Sequence, residues 1–168
     1  YLIEGTYTLS GSVQIPDNTT LAGAGSGTVI TIPNSFNTSI DAITTSGSKG
    51  ITIQDLRLDG NKTNQTSGTM NGIYMYGVGS GTGSSAVPGG KILNVESNKW
   101  SDQGIYLNYS ANSTVTSSTA QANGQSGIKI ANGNNNTVTG STTQGNSVTG
   151  IDLSSTSYNT ITGNTSQG

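Results

Sequence analysis

Gly104-Ile105-Tyr106-Leu107, Gly127-Ile128-Lys129-Ile130 and Gly150-Ile151-Asp152-Leu153 repeat one pattern at a constant spacing of 23 residues. Between them Val115, Val138 and Ile161 keep the same spacing, each inside a Thr-flanked triplet. Two registers sharing one period mark a structural repeat, and periods of about 20 to 50 residues belong to solenoid or propeller architectures. Upstream, Ile92 extends the second register, and Ile53 joins it once two insertions are allowed, Lys62 to Thr69 and Gly77 to Gly90. Leu9, Ile32 and the strand-like pieces at 12–15, 20–22 and 29–32 continue the pattern, so about seven coils are expected.

Inside a coil the apolar positions alternate, as in Ile51-Thr52-Ile53 and Leu56-Arg57-Leu58, between Gly, Asn and Asp punctuation. That alternation predicts short strands, and no window has helical spacing. Strands this short cannot bury themselves alone, so each coil must stack on the next with parallel strands ~4.8 Å apart. The expected fold is all-β: a right-handed parallel β-helix, one solenoid domain over residues 1–168, a piece of a longer chain. Stacking also predicts files of equivalent residues. Leu56, Val95, Ser118, Ser141 and Asn164 form one, and Leu58, Ser97, Ala120, Thr143 and Ser166 another, both more polar toward the C-terminus. Asn61, Asn123 and Asn146, interrupted by Trp100, form either an amide ladder or a row of exposed turn residues.

Composition narrows the function classes. Of 168 residues only 8% are charged, and the net charge of −2 comes without any Lys/Arg cluster, which argues against a nucleic-acid partner. No apolar run is long enough to span a bilayer, so membrane insertion is not expected. Without Cys or His, thiol nucleophiles, the usual zinc sites and Ser-His-Asp relays drop out. Asn-X-Ser/Thr sequons at Asn18, Asn37, Asn61, Asn64, Asn108, Asn112, Asn135 and Asn164 would permit glycosylation in a secreted or cell-surface protein.

Two stretches, "IEGTYTLSGSVQIPDNTTLAGAGSGTVITI" at 3–32 and "ITIQDLRLDGN" at 51–61, resemble the pectate-lyase-like superfamily of right-handed β-helices, the first its opening coils and the second the coil preceding its active region. The C-terminal repeats are similar to the generic repeats of surface β-helix proteins. The resemblance implies a polysaccharide lyase, glycosidase or uronate-epimerase scaffold, and it specifies fold better than activity. Alginate epimerases carry a Tyr-Gly-Phe-Asp-Pro-His motif where this chain has Gln103-Gly104-Ile105-Tyr106-Leu107-Asn108. Only Gly104 matches, so that mechanism does not carry over. The clustered calcium-binding Asp residues and catalytic Arg of pectate lyases, and the paired carboxylates of polygalacturonases, have no clear counterpart.

If Ile73, Ile105, Ile128 and Ile151 point inward, the following residues Tyr74, Tyr106, Lys129 and Asp152 form one external file. Tyr76, Asn108 and Tyr109 widen it into a stripe suited to successive sugars of a glycan. In this reading Tyr106 and Lys129 are the catalytic candidates: a cation offsets a uronate carboxylate while Tyr or Lys shuttles the proton at C5. Tyr74, Tyr76, Asn108, Tyr109 and Asp152 are the substrate-binding candidates. The plain reading of the same stripe is a set of good strand formers beside solvated charges. Asp55, Arg57 and Asp59 alternate beside Leu56 and Leu58, with Arg57 in register near Glu96, and read as an ion-pair ladder before a catalytic one. No cofactor is expected; Ca²⁺ at Asp55 and Asp59 is the alternative, with two carboxylates as its only evident oxygen donors. The Gly77 to Gly90 loop either rims a groove or is a surface excursion. The functional expectation is a secreted or surface β-helix that binds polysaccharide and cleaves or modifies it. The alternative is a structural or adhesive unit that stacks end to end with copies of itself.

Overall fold

The computed structural model describes residues 1–79 and 87–168, and among these the chain forms seventeen short strands and one 3-10 turn, Lys62–Asn64. Every strand pairing is parallel. One sheet of eleven strands runs from Gly5–Thr8 through Thr28–Thr31, Thr52–Asp59, Lys91–Asn98, Thr114–Thr116 and Thr137–Thr139 to Thr160–Thr162. The strands Thr119–Gln121, Thr142–Gln144 and Thr165–Gln167 form its second arm. A six-stranded sheet runs from Val13–Gln14 through Ile40–Ser46, Met70–Tyr76, Ile105–Asn108 and Ile128–Ala131 to Ile151–Ser154. Strands that neighbour one another in space are one coil apart in sequence, so the chain is a β-solenoid.

The expected registers are the observed ones. Ile53, Ile92, Val115, Val138 and Ile161 stack in a single file, fully buried from Ile53 to Val138 and 37% exposed at Ile161. Ile43, Ile73, Ile105, Ile128 and Ile151 form the facing file. Full burial of each such side chain contributes about 1.5–3 kcal/mol. The insertions sit where the spacing placed them, since Ile43 pairs with Ile73 and Ile73 with Ile105, both farther apart in sequence than 23 residues. Of the second insertion, residues 80–86 lie outside the described residues, and with them the expectation that this loop rims a groove.

The corners are set by single residues in the left-handed region. Asp55, Asn94, Ser117, Gly140 and Gly163 occupy one corner file, with φ between 49 and 62°. Tyr109, Asn132 and Ser155 occupy another, and Asn112, Asn135 and Tyr158 a third. Three of these corners contain an Asn, Ser or Asp in αL, the residue types best suited to it after glycine.

Side-chain ladders seal the turns. Asn123 is fully buried; its Oδ1 accepts the Trp100 N–H (3.0 Å) and its Nδ2 donates to the Ser97 carbonyl (3.3 Å). Asn146 repeats both bonds one coil later, to the Asn123 N–H and the Ala120 carbonyl. The file is therefore an amide ladder from Asn123 on. Asn61 departs from it, sitting at φ 47° and donating to the Ile32 carbonyl. A second ladder, not expected from the sequence, joins Asn136 to Ser113 and Ser110, and Asn159 to Asn136 and Gly133. A third uses hydroxyls: Ser118 Oγ accepts from Val95 N–H, Ser141 Oγ from Ser118 N–H, and Asn164 Oδ1 from Ser141 N–H. In each case a buried or half-buried polar side chain satisfies the backbone of the neighbouring coil, which is how an interior this polar stays closed.

Candidate functional site

Alternation along the six-stranded sheet sends the residue after each buried Ile outward. Tyr74, Tyr106, Lys129 and Asp152 accordingly pair rung by rung on its outer face. The Tyr74 and Tyr106 rings lie 5.1 Å apart at 53°, and Tyr76 lies 6.2 Å from Tyr74. Tyr76 meets Tyr109 edge to face at 5.7 Å. Lys129 Nζ stands 5.7 Å from the centre of the Tyr106 ring and 3.2 Å from Asp152. Asn108 donates from Nδ2 to the Tyr74 hydroxyl (3.0 Å), and Asn132 donates to Asn108 Oδ1 (3.2 Å). All seven residues singled out in the sequence therefore share one surface: an aromatic patch of four tyrosines that ends in a cation and its carboxylate.

Tyr109 holds an uncommon position in this patch. It sits at φ 52° in a corner file whose other members are Gly47, Gly77, Asn132 and Ser155, aligned by the same backbone bonds. A bulky side chain in αL costs ~1–2 kcal/mol relative to a compatible conformation. Its ring contact with Tyr76 is what that strain holds in place.

The stripe continues into acidic residues that sequence spacing did not reveal. Asn71 Nδ2 donates to Asp41 (2.7 Å), Asn71 Oδ1 accepts the Gln103 N–H (3.0 Å), and the Gln103 side chain bonds Asp102. Burial raises both carboxyls above the ordinary Asp value, against the Asn71 bonds at Asp41 and against Lys129 at Asp102. Burial also raises the Tyr106 phenol, helped by Tyr74, Asp102 and Asp152 nearby. Tyr106 is therefore protonated at neutral pH, a hydrogen-bond donor and proton donor rather than a tyrosinate base.

The sign of the Asp41 shift gives a stability prediction. A raised folded-state value favours the protonated form, so Asp41 contributes favourably below its ordinary 3.8 and loses that contribution as pH rises through the folded value. At neutral pH its buried charge is a burden. Asp41→Asn keeps an acceptor for Asn71 and is expected to raise the urea midpoint at pH 7, the gain vanishing below pH ~3.8.

The ion pairs on the other sheet gather on Asp59. Arg57 is in register with Glu96, yet its guanidinium turns to Asp59 on its own strand (2.7 Å), and Lys99 approaches the same carboxylate (3.4 Å). Residues two apart on one strand lie on the same face, and Asp59 is the less exposed partner. Asp55 accepts one side-chain amide bond at each carboxylate oxygen, from Gln54 and from Asn94. Among the described residues no three acidic groups gather as a metal site.

The sequence pattern of right-handed β-helix regions matches residues 41–168. The chain belongs to that family. Solved structures agree on the fold. The A-module of mannuronan C-5 epimerase AlgE6 from Azotobacter vinelandii superposes with a TM-score of 0.67 at 23% identity, over 90% of this chain and 49% of that one. The AlgE4 A-module from the same organism gives 0.55 at 19%, over 98% and 67%. ORF18 of Geobacillus virus E2 gives 0.66 at 17%, over 94% of this chain and 32% of that one. The β-helix thus spans about half the length of the AlgE6 module. A comparison with curated proteins finds no match. Among the described residues no helix is long and apolar enough to cross a membrane.

Proposed function

We propose that this β-helix works outside the cell, secreted or displayed on a surface, and binds a polysaccharide along the stripe from Tyr76 to Asp152. The observation that carries the proposal is the contiguous patch of Tyr74, Tyr76, Tyr106 and Tyr109 with Lys129 at its end. Rungs ~4.8 Å apart suit an extended sugar chain, with ring faces for stacking and hydroxyls and amides for its oxygens. Likeness in fold to two mannuronan C-5 epimerase modules supports a glycan ligand of the acidic class. A uronate carboxylate would exchange with Asp152 for Lys129.

Modification of the bound sugar is the finer proposal. Tyr106, protonated and beside Lys129, is placed to donate a hydrogen bond to the reacting sugar while Lys129 offsets the carboxylate.

Electrophoresis through gels containing acidic or neutral polysaccharides tests binding. Retardation by an acidic glycan is expected, and Tyr74→Ala should weaken it at least about fivefold, the effect of removing a stacked aromatic anchor. Tyr109→Gly should also weaken it while raising stability by about 1 kcal/mol through relief of αL strain. Unsaturated-sugar absorbance and reducing-end assays with Tyr106→Phe and Lys129→Ala test turnover. Migration unchanged by every glycan, or equal retardation of wild type and Tyr74→Ala, removes the stripe from consideration.

A further inference from the structure

The outer face of the eleven-stranded sheet presents a second regular array. Thr114, Thr137 and Thr160 stack in one file and Thr116, Thr139 and Thr162 in another, flanking the Val115, Val138 and Ile161 file that points into the core. Both threonines of each triplet therefore point outward. Strand geometry fixes their lattice: ~4.8 Å between rungs and, over two residue rises, ~6.7 Å along each strand. None of the six hydroxyls makes a hydrogen bond with another group among the described residues.

The chemistry of this face is uniform. From residue 113 to the C-terminus the only charged side chains are Lys129 and Asp152, and both belong to the other sheet. Upstream the equivalent positions are Lys91 and Leu93, so the array begins at Thr114. The two threonine files contain no aromatic or Arg anchor of the kind that binds a protein partner and no cation for a polyanion, Lys91 lying one rung upstream of Thr114. Its side chains are held by strands whose corners are tied by the Ser118, Ser141 and Asn164 ladder. What such a surface offers is a rigid, uncharged lattice of hydroxyls and methyls at two fixed spacings. A ligand gains from it only by sharing that periodicity and lacking charge.

We propose that the threonine face binds the surface of ice, its hydroxyls joining the ordered water lattice and its methyls occupying the gaps between them. The proposal is independent of the tyrosine stripe, which lies on the other sheet.

The protein and a non-binding control of similar size are placed in water while an ice front grows slowly, and the fraction taken into the ice is measured together with inhibition of ice recrystallisation. Wild type is expected to enrich in the ice and to keep the crystals small. Thr137→Lys, at the central rung, and Thr160→Lys, at an exposed position that cannot disturb the core, should each fall to the control level with circular dichroism unchanged. Tyr74→Ala should remain as active as wild type. Exclusion of wild type from the ice, or equal enrichment of wild type and Thr160→Lys, overturns the proposal. So does threonine-dependent retention on crystalline chitin or cellulose without ice enrichment.

Discussion

Asn123→Leu should lower the unfolding free energy by about 3 kcal/mol, read as a fall in urea midpoint with little change in slope. Leucine has as many side-chain heavy atoms as asparagine and a larger volume, so no cavity is left; overpacking adds to a cost that is mainly polar. Asn123 is fully buried, and without its amide the Trp100 N–H loses its acceptor and the Ser97 carbonyl loses a donor, both deep between coils. Each stranded buried group costs about 1–3 kcal/mol. The Asn123–Asn146 bond is lost as well, which loosens the next rung. Asn164→Leu removes the same two contacts, to Ser141 and Val138, at a partly exposed position where water replaces them, and should cost well under half as much. A midpoint for Asn123→Leu equal to wild type would mean that the amide files decorate the solenoid rather than hold it.

Asn123 also shows where sequence reading succeeds and where it stops. A period of 23 assigns every residue from Leu93 onward to a file, so the burial of Val115 and the outward direction of Tyr106 follow from alternation alone. The period does not say what an Asn at a corner does. Asn123 and Asn146 turn inward to satisfy the neighbouring coil, and Asn136 and Asn159 do the same at another corner, where the sequence shows only turn punctuation. The deciding quantity is whether the backbone groups of the adjacent coil are buried, and that depends on chain curvature rather than on residue type.

The stripe was legible for a related reason. Tyr106, Lys129 and Asp152 fall in the uninterrupted repeats, and Tyr74 needs only one insertion to be placed. Asp41 and Asp102 escaped because both insertions lie between them, so no multiple of the period connects them, yet they meet on the same surface through Asn71 and Gln103. Register names Glu96 as the residue alongside Arg57, whereas the long guanidinium selects the better-placed carboxylate, Asp59. The strain at Tyr109 is a property of φ that no composition rule exposes.

Gly104→Ala should cost about 3 kcal/mol, although a single methyl is all that is added. Gly104 opens the repeated Gly-Ile pattern, and its role is proximity. A Cβ there would lie 2.6 Å from Asn123 Nδ2, 2.8 Å from the Gly127 carbonyl and 3.1 Å from Ala120 Cβ. Backbone cannot yield as a flexible side-chain tip can, so the coils must separate or the Asn123 amide must leave its ladder. Either response breaks buried hydrogen bonds in addition to the overpacking penalty of ~1–3 kcal/mol. Gly127 repeats the arrangement against Asn146 and the Gly150 carbonyl, so the glycines and the amides of the repeat are two halves of one contact. Gly140→Ala separates this steric effect from glycine's conformational freedom. It places alanine at φ 57° with its nearest neighbour 3.9 Å away, and should cost only about 1 kcal/mol. Because Gly104 and Asn123 share one contact, the double variant Gly104→Ala with Asn123→Ala should lose less stability than the sum of the two single changes. Strict additivity, or a larger cost at Gly140 than at Gly104, would show that the glycine file serves the turns rather than the ladder.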